Sequence, residues 1–383
     1  MNVGRSVSIP TIDRSVNTSP IEERSVLNEK AFHRMISLER KRTERSRKPF
    51  MLMLLEMRDG LRFDNSEKDL DKILSVLSLS RRETDVTGWY KDTSIVGVMF
   101  TEFGLEERGT ILTTLMTRVS EALRRNLSPQ QFSQITLSFH LFPEEWNYNI
   151  IQRPSNPTLY PDLSRRDNGK KLFCVLKRIM DTVGSAVALL VLSPLLALIA
   201  AAIKLTSEGP VFFRQKRVGQ YGEQFVFLKF RSMYVNNDSS HHKAFVQALI
   251  AGRTAGNPAN GKGTAVYKLT NDPRITPIGA LLRKTSLDEL PQFWNVLKGE
   301  MSLVGPRPAI AYEVEAYDIW HRRRVLEAKP GITGLWQVNG RSRIKFDDMV
   351  RLDLRYAKTW SPWMDLKILM RTPVAVVFGD GAY

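Results

Sequence analysis

Cysteine is almost missing from this sequence: Cys174 is the one thiol in 383 residues. That excludes an intrachain disulfide and any cysteine-based zinc site, and it fits a reducing, cytosolic setting. A secretory leader is missing too, because MNVGRSVSIPTIDRSVNTSP has no apolar core, so the chain is expected to start inside the cell. Residues 1–26, with their Ser, Arg and Pro content, read as a disordered N-terminus. Negative charge is in short supply. Against 56 Lys and Arg stand 40 Asp and Glu, a net charge of +16 and a pI near 9.9. Such an excess asks for an anionic partner; nucleic acid, anionic lipid and phosphorylated small molecules all satisfy it. The hydrophobic fraction of 43% and charged fraction of 25% are ordinary, so composition does not choose among them.

The length favours two folded units, each expected to fold alone. Leu27 to Arg47 reads as a polar, basic helix that Lys48-Pro49 breaks before an apolar strand, Phe50 to Leu55. A helix at Leu70 to Leu79 follows, then a hairpin from Asp85 to Phe100 with its tip at Tyr90 to Ser94. A second helix, Leu105 to Asn126, and an alternating strand, Ile135 to Phe142, complete the order. This β-α-β-β-α-β order over residues 27–150 predicts a ferredoxin-like unit. Residues 151–171, rich in Pro, Asn and charge, read as a linker, and a second domain occupies 172–383.

Val183 to Ile203 is uncharged and apolar, and its length matches the ~20 residues of a membrane span. Ser193-Pro194 interrupts it, and Pro removes a backbone donor. Lys170, Lys171, Lys177 and Arg178 precede the run while Lys204, Arg214, Lys216 and Arg217 follow it, so the positive-inside rule puts both ends on the cytoplasmic side. A re-entrant helix-break-helix over 183–203 meets both conditions, with the freed carbonyls near Leu190 satisfied by the Ser193 hydroxyl or by buried packing. A kinked single span is the alternative. Nearer the C-terminus, Trp360, Trp363 and the apolar stretch Leu366 to Phe378 fit either an interfacial helix or ordinary core packing.

Beyond the apolar run, Val211 to Arg217 and Phe225 to Arg231 predict a small β-hairpin presenting Arg217, Lys229 and Arg231, either as a phosphate site or as a solvated surface. Ser286 followed by Glu289 matches a capping box, which places Asp288 and Glu289 in the first turn of a helix ending at Gly299. The acids could simply complement that helix's dipole. However, Arg274, Arg283, Lys284 and Arg307 crowd the same segment, and cations at a helix N-terminus suit a diphosphate. A divalent ion bridging Glu289 to that diphosphate gives the carboxylates a purpose, and the positive field is expected to keep Asp288 ionised as a nucleophile. In Gly305-Pro306-Arg307-Pro308 the prolines pre-order one guanidinium. Lys329 to Arg341 is a Gly-rich loop ending in another Arg. The adjacent His241-His242 could bind a metal or simply lie in a solvated loop.

From about Lys177 onward the chain resembles the bacterial sugar transferases, the monotopic phosphoglycosyl transferases of exopolysaccharide assembly. The resemblance rests on Lys177-Arg178 to Asp181, the Ser-Pro break, Lys229-Phe230-Arg231-Ser232-Met233, Asp288-Glu289-Leu290-Pro291-Gln292, Asn295 to Ser302, Pro-Arg-Pro, Pro-Gly-Ile-Thr-Gly and the terminal Gly381-Ala382-Tyr383. It implies that Asp288 attacks the β-phosphate of a UDP-sugar, releasing UMP, and that undecaprenyl phosphate then collects the sugar phosphate. Glu289 matches the residue implicated with Mg²⁺, Arg283, Arg307 and Arg341 match phosphate or nucleotide contacts, and Lys229 and Asp353 are further substrate-binding candidates. The implied setting is the cytoplasmic face of the bacterial inner membrane, with no nucleic acid and a homo-oligomer left open. The rival is a non-catalytic basic membrane scaffold or regulator of polysaccharide synthesis. Over 27–150 the element order resembles a GGDEF-type diguanylate-cyclase domain. Its hairpin carries Lys91-Asp92-Thr93-Ser94 where that family carries its glycine-rich signature turn, which implies a non-catalytic module.

Overall fold

The structure, a computed structural model, describes residues 26–57, 72–77, 82–101, 108–144, 155–163, 171–235, 240–252, 257–258, 265–266, 274–340 and 343–378. Its class is α+β. Helix α1 (Glu29–Ser46) starts where the Asn28 side chain accepts from the Ala31 N–H. It leads into a four-stranded antiparallel sheet of β1 (Phe50–Met57), β2 (Val86–Lys91), β3 (Ile95–Phe100) and β4 (Ile135–Phe142), in the order β2-β3-β1-β4. Residues 72–77 are helical, and α2 (Arg108–Asn126) lies between β3 and β4. The element order is therefore the one read from the pattern.

Central strand β1 has no polar face because both of its faces are covered. Met51, Met53 and Leu55 pack with Ile73, Val76, Val119 and Leu123 under the helices. On the other face, Phe50, Leu52 and Leu54 meet Phe32 and Ile36 of α1. Gly88 and Gly97 leave room for the Phe32 ring, since a Cβ at either would sit 2.4–2.6 Å from its carbons. This second cluster continues into the C-terminal half through Leu159, Tyr160, Val218, Val314, Tyr317, Val325 and Leu326. Each half also has core clusters of its own, and this cluster joins them. Residues 155–163, read as part of a linker, are packed: Leu159 and Tyr160 are buried, and the Arg40 guanidinium stacks 4.5 Å over the Tyr160 ring.

In the C-terminal half, α3 (Lys171–Val191) and α4 (Ser193–Thr206) meet at Leu192 with a 61° bend. Pro194 has no N–H for the Leu190 carbonyl, and the Ser193 Oγ donates to it instead at 2.8 Å. No single helix among the described residues is long and apolar enough to cross a membrane; the bent pair meets the length and composition together. Three charged residues of α3 turn inward. Lys177 Nζ reaches Asp365 at 2.7 Å, Arg178 donates to the Val296 and Leu297 carbonyls at 2.8 Å each, and Asp181 accepts from Leu303 N–H at 2.9 Å and Ser302 Oγ at 3.0 Å. Leu172, Ile179, Val183, Val187 and Leu190 stay exposed on the helix. This corrects the charge argument: Lys177, Arg178 and the buried Arg217 are spent on internal bonds and do not mark the flanks.

Among the other elements of this half are the predicted hairpin, β5 (Phe212–Val218) with β6 (Gln224–Phe230), then α5 (Pro277–Thr285) and α6 (Gln292–Lys298), which flank the acid pair. After them come β7 (Ser302–Val304), α7 (Arg323–Glu327) and β8 (Gly331–Thr333), with β7 and β8 parallel. The chain closes on α8 (Phe346–Thr359) and α9 (Pro362–Phe378). Exposed Trp363, Leu366, Met370 and Val374 recur at helical spacing on α9, while Ile368 faces the core, so both sequence readings of this segment find residues that fit them.

Candidate active site

Asp288 and Glu289 sit in a single 3₁₀ turn, Leu287–Glu289, between α5 and α6. The expected capping box does not form. Ser286 adopts a left-handed backbone (φ 57°) that ends α5, its side chain makes no cap bond, and α6 begins only at Gln292, after Pro291. The acids therefore precede the helix by a turn. The corner is held from behind by Thr276, which caps α5 by accepting from Gly279 N–H at 3.0 Å. A Cβ on Gly279 would lie 2.1 Å from the Ser232 carbonyl oxygen, so α5 can approach the 229–233 segment only with glycine there.

That segment divides its work by residue. Phe230 is buried with Ile199, Ile203 and Leu282. Arg231 donates to the Ser207 carbonyl at 2.8 Å and to its Oγ at 2.6 Å, closing the end of α4, and Lys229 faces the acids. Burial pulls the Lys229 ammonium down to about 8, against the pull of Asp288 and with the repulsion of Arg217 and Arg307. The Asp288 carboxyl is pushed up to about 6, first by burial and then by the like charge of Glu289, with Lys229, Arg307 and Arg283 opposing. Desolvation thus outweighs the cations, yet a value of about 6 still leaves the Asp288 carboxyl mostly ionised at neutral pH. Glu289 goes the other way. Burial works to raise it, but the Arg307 guanidinium, 3.0 Å from its Oε1, holds it below the usual carboxylate range.

Arg307 stands on an extended segment whose backbone is closely fitted. Gly305 and Gly331 touch so tightly that a Cβ on Gly331 would lie 2.1 Å from the Gly305 nitrogen. Gly331 N–H donates to the Pro306 carbonyl and Gly305 N–H to that of Thr333, each at 2.8 Å. The Gly-rich loop is a backbone-to-backbone support for Arg307.

The structure brings Asp288, Glu289, Lys229, Arg283 and Arg307 into one electrostatic group. Asp353 is elsewhere: 1% exposed, with Arg324 Nη2 2.7 Å from its Oδ2, an ion pair outside hydrogen-bond alignment, and pushed up to about 6 by burial against that cation. Arg341 and the terminal Gly381-Ala382-Tyr383 lie outside the described residues, as does the side-chain placement of His241 and His242. Ser193 and Pro194 stand at the helix bend.

A family model described as "Bacterial sugar transferase" matches residues 172–379, more than half of the chain. The chain belongs to the bacterial sugar transferase family. The sugar-transferase unit is similar to the galactosyl transferase CpsE of Streptococcus agalactiae, 44% identical over 54% of this chain and 43% of that protein. It is similar also to the undecaprenyl-phosphate galactose phosphotransferase of Salmonella typhimurium, 45% identical over 54% and 42%. The exopolysaccharide production protein ExoY of Rhizobium meliloti is 42% identical over 54% of this chain and 88% of its own length. The chain thus spans under half the length of the first two. Among solved structures, a DGC protein from Thermotoga maritima covers 32% of this chain and 85% of its own at 18% identity, with a TM-score of 0.25, too low a likeness to carry weight.

Sequence reading missed the buried partners of the sugar-transferase unit. Asn295 accepts from Leu228 N–H at 3.1 Å and donates to the Val226 carbonyl at 2.7 Å, taking the place of a neighbouring strand beside β6. Tyr356 and Trp360 both donate to Asp365, which Lys177 also holds. Arg217 and Arg324 support the Pro-Arg-Pro segment from behind. Most of these leave no local spacing signal because the partners are remote in sequence; Tyr356 and Trp360 lie only nine and five residues from Asp365, at spacings that no motif marks.

Proposed function

We propose that this protein transfers a sugar 1-phosphate from a UDP-sugar to undecaprenyl, or another polyprenyl, phosphate and releases UMP, as the first membrane step of exopolysaccharide or surface glycan assembly. The observation that carries the reading is the buried Asp288 carboxyl beside a Glu289 ion-paired to Arg307, both under the influence of Lys229 and Arg307. The printed activity of the Salmonella relative supports the substrate class. In the proposed first step an Asp288 oxygen attacks the β-phosphorus. The bond from that phosphorus to the bridging oxygen breaks, and UMP leaves with the electron pair. In the second, a phosphate oxygen of the lipid attacks the same phosphorus and frees the Asp288 carboxylate. Lys229, Arg283 and Arg307 offset the charge gathered on the diphosphate, with Arg341 as a further candidate.

A magnesium ion fits in one form. Among the described residues no three His, Cys, Asp or Glu side chains gather to hold a metal. Two adjacent carboxylates suit an ion that completes its shell with diphosphate oxygens and water. Glu289 would hold it, sharing its charge with Arg307, and the ion would neutralise developing phosphate charge.

The bent pair α3–α4 is proposed to enter the cytoplasmic leaflet of the inner membrane and return, its exposed apolar residues facing lipid. The N-terminal unit is proposed to be a ferredoxin-like, non-catalytic module, a reading that the β2-β3-β1-β4 strand order supports, with Thr93 in a left-handed turn at the hairpin tip.

The test is UMP release from a panel of UDP-sugars by detergent-solubilised protein with undecaprenyl phosphate and Mg²⁺, comparing wild type with Asp288→Asn. Release that needs lipid, metal and Asp288 supports the reading and names the sugar. Silence with every donor returns the chain to the scaffold reading.

A further inference from the structure

Proline at positions 306 and 308 removes two backbone donors from the segment that carries Arg307, leaving mainly its carbonyls to hold it in place. Four successive carbonyls are each taken by a fixed donor. Pro306 O accepts from Gly331 N–H at 2.8 Å, Arg307 O from Arg324 Nη2 at 3.3 Å, Pro308 O from Arg217 Nη1 at 2.7 Å and Ala309 O from Val218 N–H at 2.8 Å. Two of these donors are guanidiniums, 8% and 6% exposed.

Arg324 is the more constrained of the two. Its Nη1 donates to Tyr317 Oη at 3.2 Å, and its Nη2 lies 2.7 Å from Asp353. Its helix, α7, is also tied to the N-terminal unit: Arg323 lies 3.6 Å from Glu44 of α1, and the preceding Arg322 donates to the Glu144 carbonyl at 2.8 Å. A buried Arg–Asp pair gives little stability over apolar side chains of the same volume, so stability alone is a poor reason to bury one here. A planar fork that serves a hydroxyl, a carboxylate and a main-chain carbonyl at once fixes geometry, which an apolar pair does not.

We infer that Arg324, seated by Asp353 and Tyr317, is a positioning residue that sets where the Arg307 guanidinium stands relative to Glu289. Arg324 acts through the Arg307 carbonyl. Asp353 thereby has a role as the seat of Arg324, in place of the substrate contact expected of it. The inference rests on the reading of the acid pair as the reaction centre.

The test uses the full-length protein in detergent with three readouts: melting temperature, amide hydrogen exchange across residues 303–310, and kcat/KM for UMP release. The variants are Arg324→Lys, which keeps a cation beside Asp353 but has no fork, and Arg324→Gln with Asp353→Asn, which removes both charges together. Both are expected to speed exchange at Gly305, Arg307 and Ala309 but not in β1, and to lower kcat/KM about tenfold. Lys is expected to keep the wild-type melting temperature. Full recovery of kcat/KM by Lys would overturn the inference, because charge alone would then suffice. A variant that melts early, exchanges faster everywhere and turns over normally per folded molecule would also overturn it. Exchange needs no sugar donor, so a silent wild type refutes the transferase reading while exchange still decides the positioning role.

Discussion

Two charged clusters lie in the same half of the molecule and differ in how completely they are satisfied. At the foot of α3, Asp365 receives Lys177 at 2.7 Å, Tyr356 at 2.7 Å and Trp360 at 3.0 Å, while Arg178 and Asp181 find backbone partners. At the 287–289 turn, two carboxylates adjoin in sequence, one is ion-paired, and the other is pushed up to about 6 by burial and by its neighbour. The first arrangement is what a fold needs to pin a helix. The second keeps an unfavourable charge in place, which stability alone does not explain and which the proposed role of Asp288 as a nucleophile would account for.

The sharpest way to break the contrast is to unpair each cluster. Lys177→Met leaves Asp365, 3% exposed, with Tyr356 and Trp360 but no cation, and is expected to cost about 3 kcal/mol, read as a lower melting temperature in detergent. Asp288→Asn should do the reverse. The folded-state value of about 6 lies above the ordinary 3.8, so ionising Asp288 opposes folding, and stability falls as pH rises between those values and is level above. The variant is expected to gain about 1–3 kcal/mol at neutral pH, to lose that slope, and to release no UMP. A stability loss at pH 7.5 would mean that Asp288 is a structural acid like Asp365.

A pH series sharpens the point further. If the attacking group is ionised Asp288, kcat/KM in the wild type should rise through about pH 6 and level off above it; a flat profile down to pH 5 would remove Asp288 from the nucleophile's role. The smallest effect belongs to the bend. Ser193→Ala removes one hydrogen bond to the Leu190 carbonyl and should cost about 0.5–1.5 kcal/mol, with the 61° angle retained because Pro194 causes it. Spin labels on α3 and α4 would report the angle.

How much of this was legible in the sequence depends on the range over which each residue acts. The limits of α1, the strand β1 and the hairpin tip follow from local patterns. The Ser193 bond follows from the missing N–H of Pro194, a strictly local cause. The acid pair was legible from its motif and surrounding cations, but its conformation was not. Ser-Leu-Asp-Glu has the spacing of a capping box, and only the left-handed Ser286 with Pro291 after it reveals that the helix starts later. Lys177 and Arg178 looked like flanking charges because a sequence shows where a cation is, not the remote carbonyl or carboxylate that takes it. The pairing of Asp353 was hidden for the same reason: its partner, Arg324, is on another helix.

The cluster that joins Phe32, Leu52, Leu159, Tyr317 and Leu326 also bears on how the chain is made. Synthesis releases the N-terminal half first, and during that interval the side of this cluster that later meets Val314, Tyr317 and Leu326 waits for residues that have not yet left the ribosome. That exposed face is a place where a chaperone would be needed, and a fragment cut near residue 165 would keep the exposure permanently. Expressed alone, such a fragment is expected to aggregate, and the intact chain to unfold its two halves in one step.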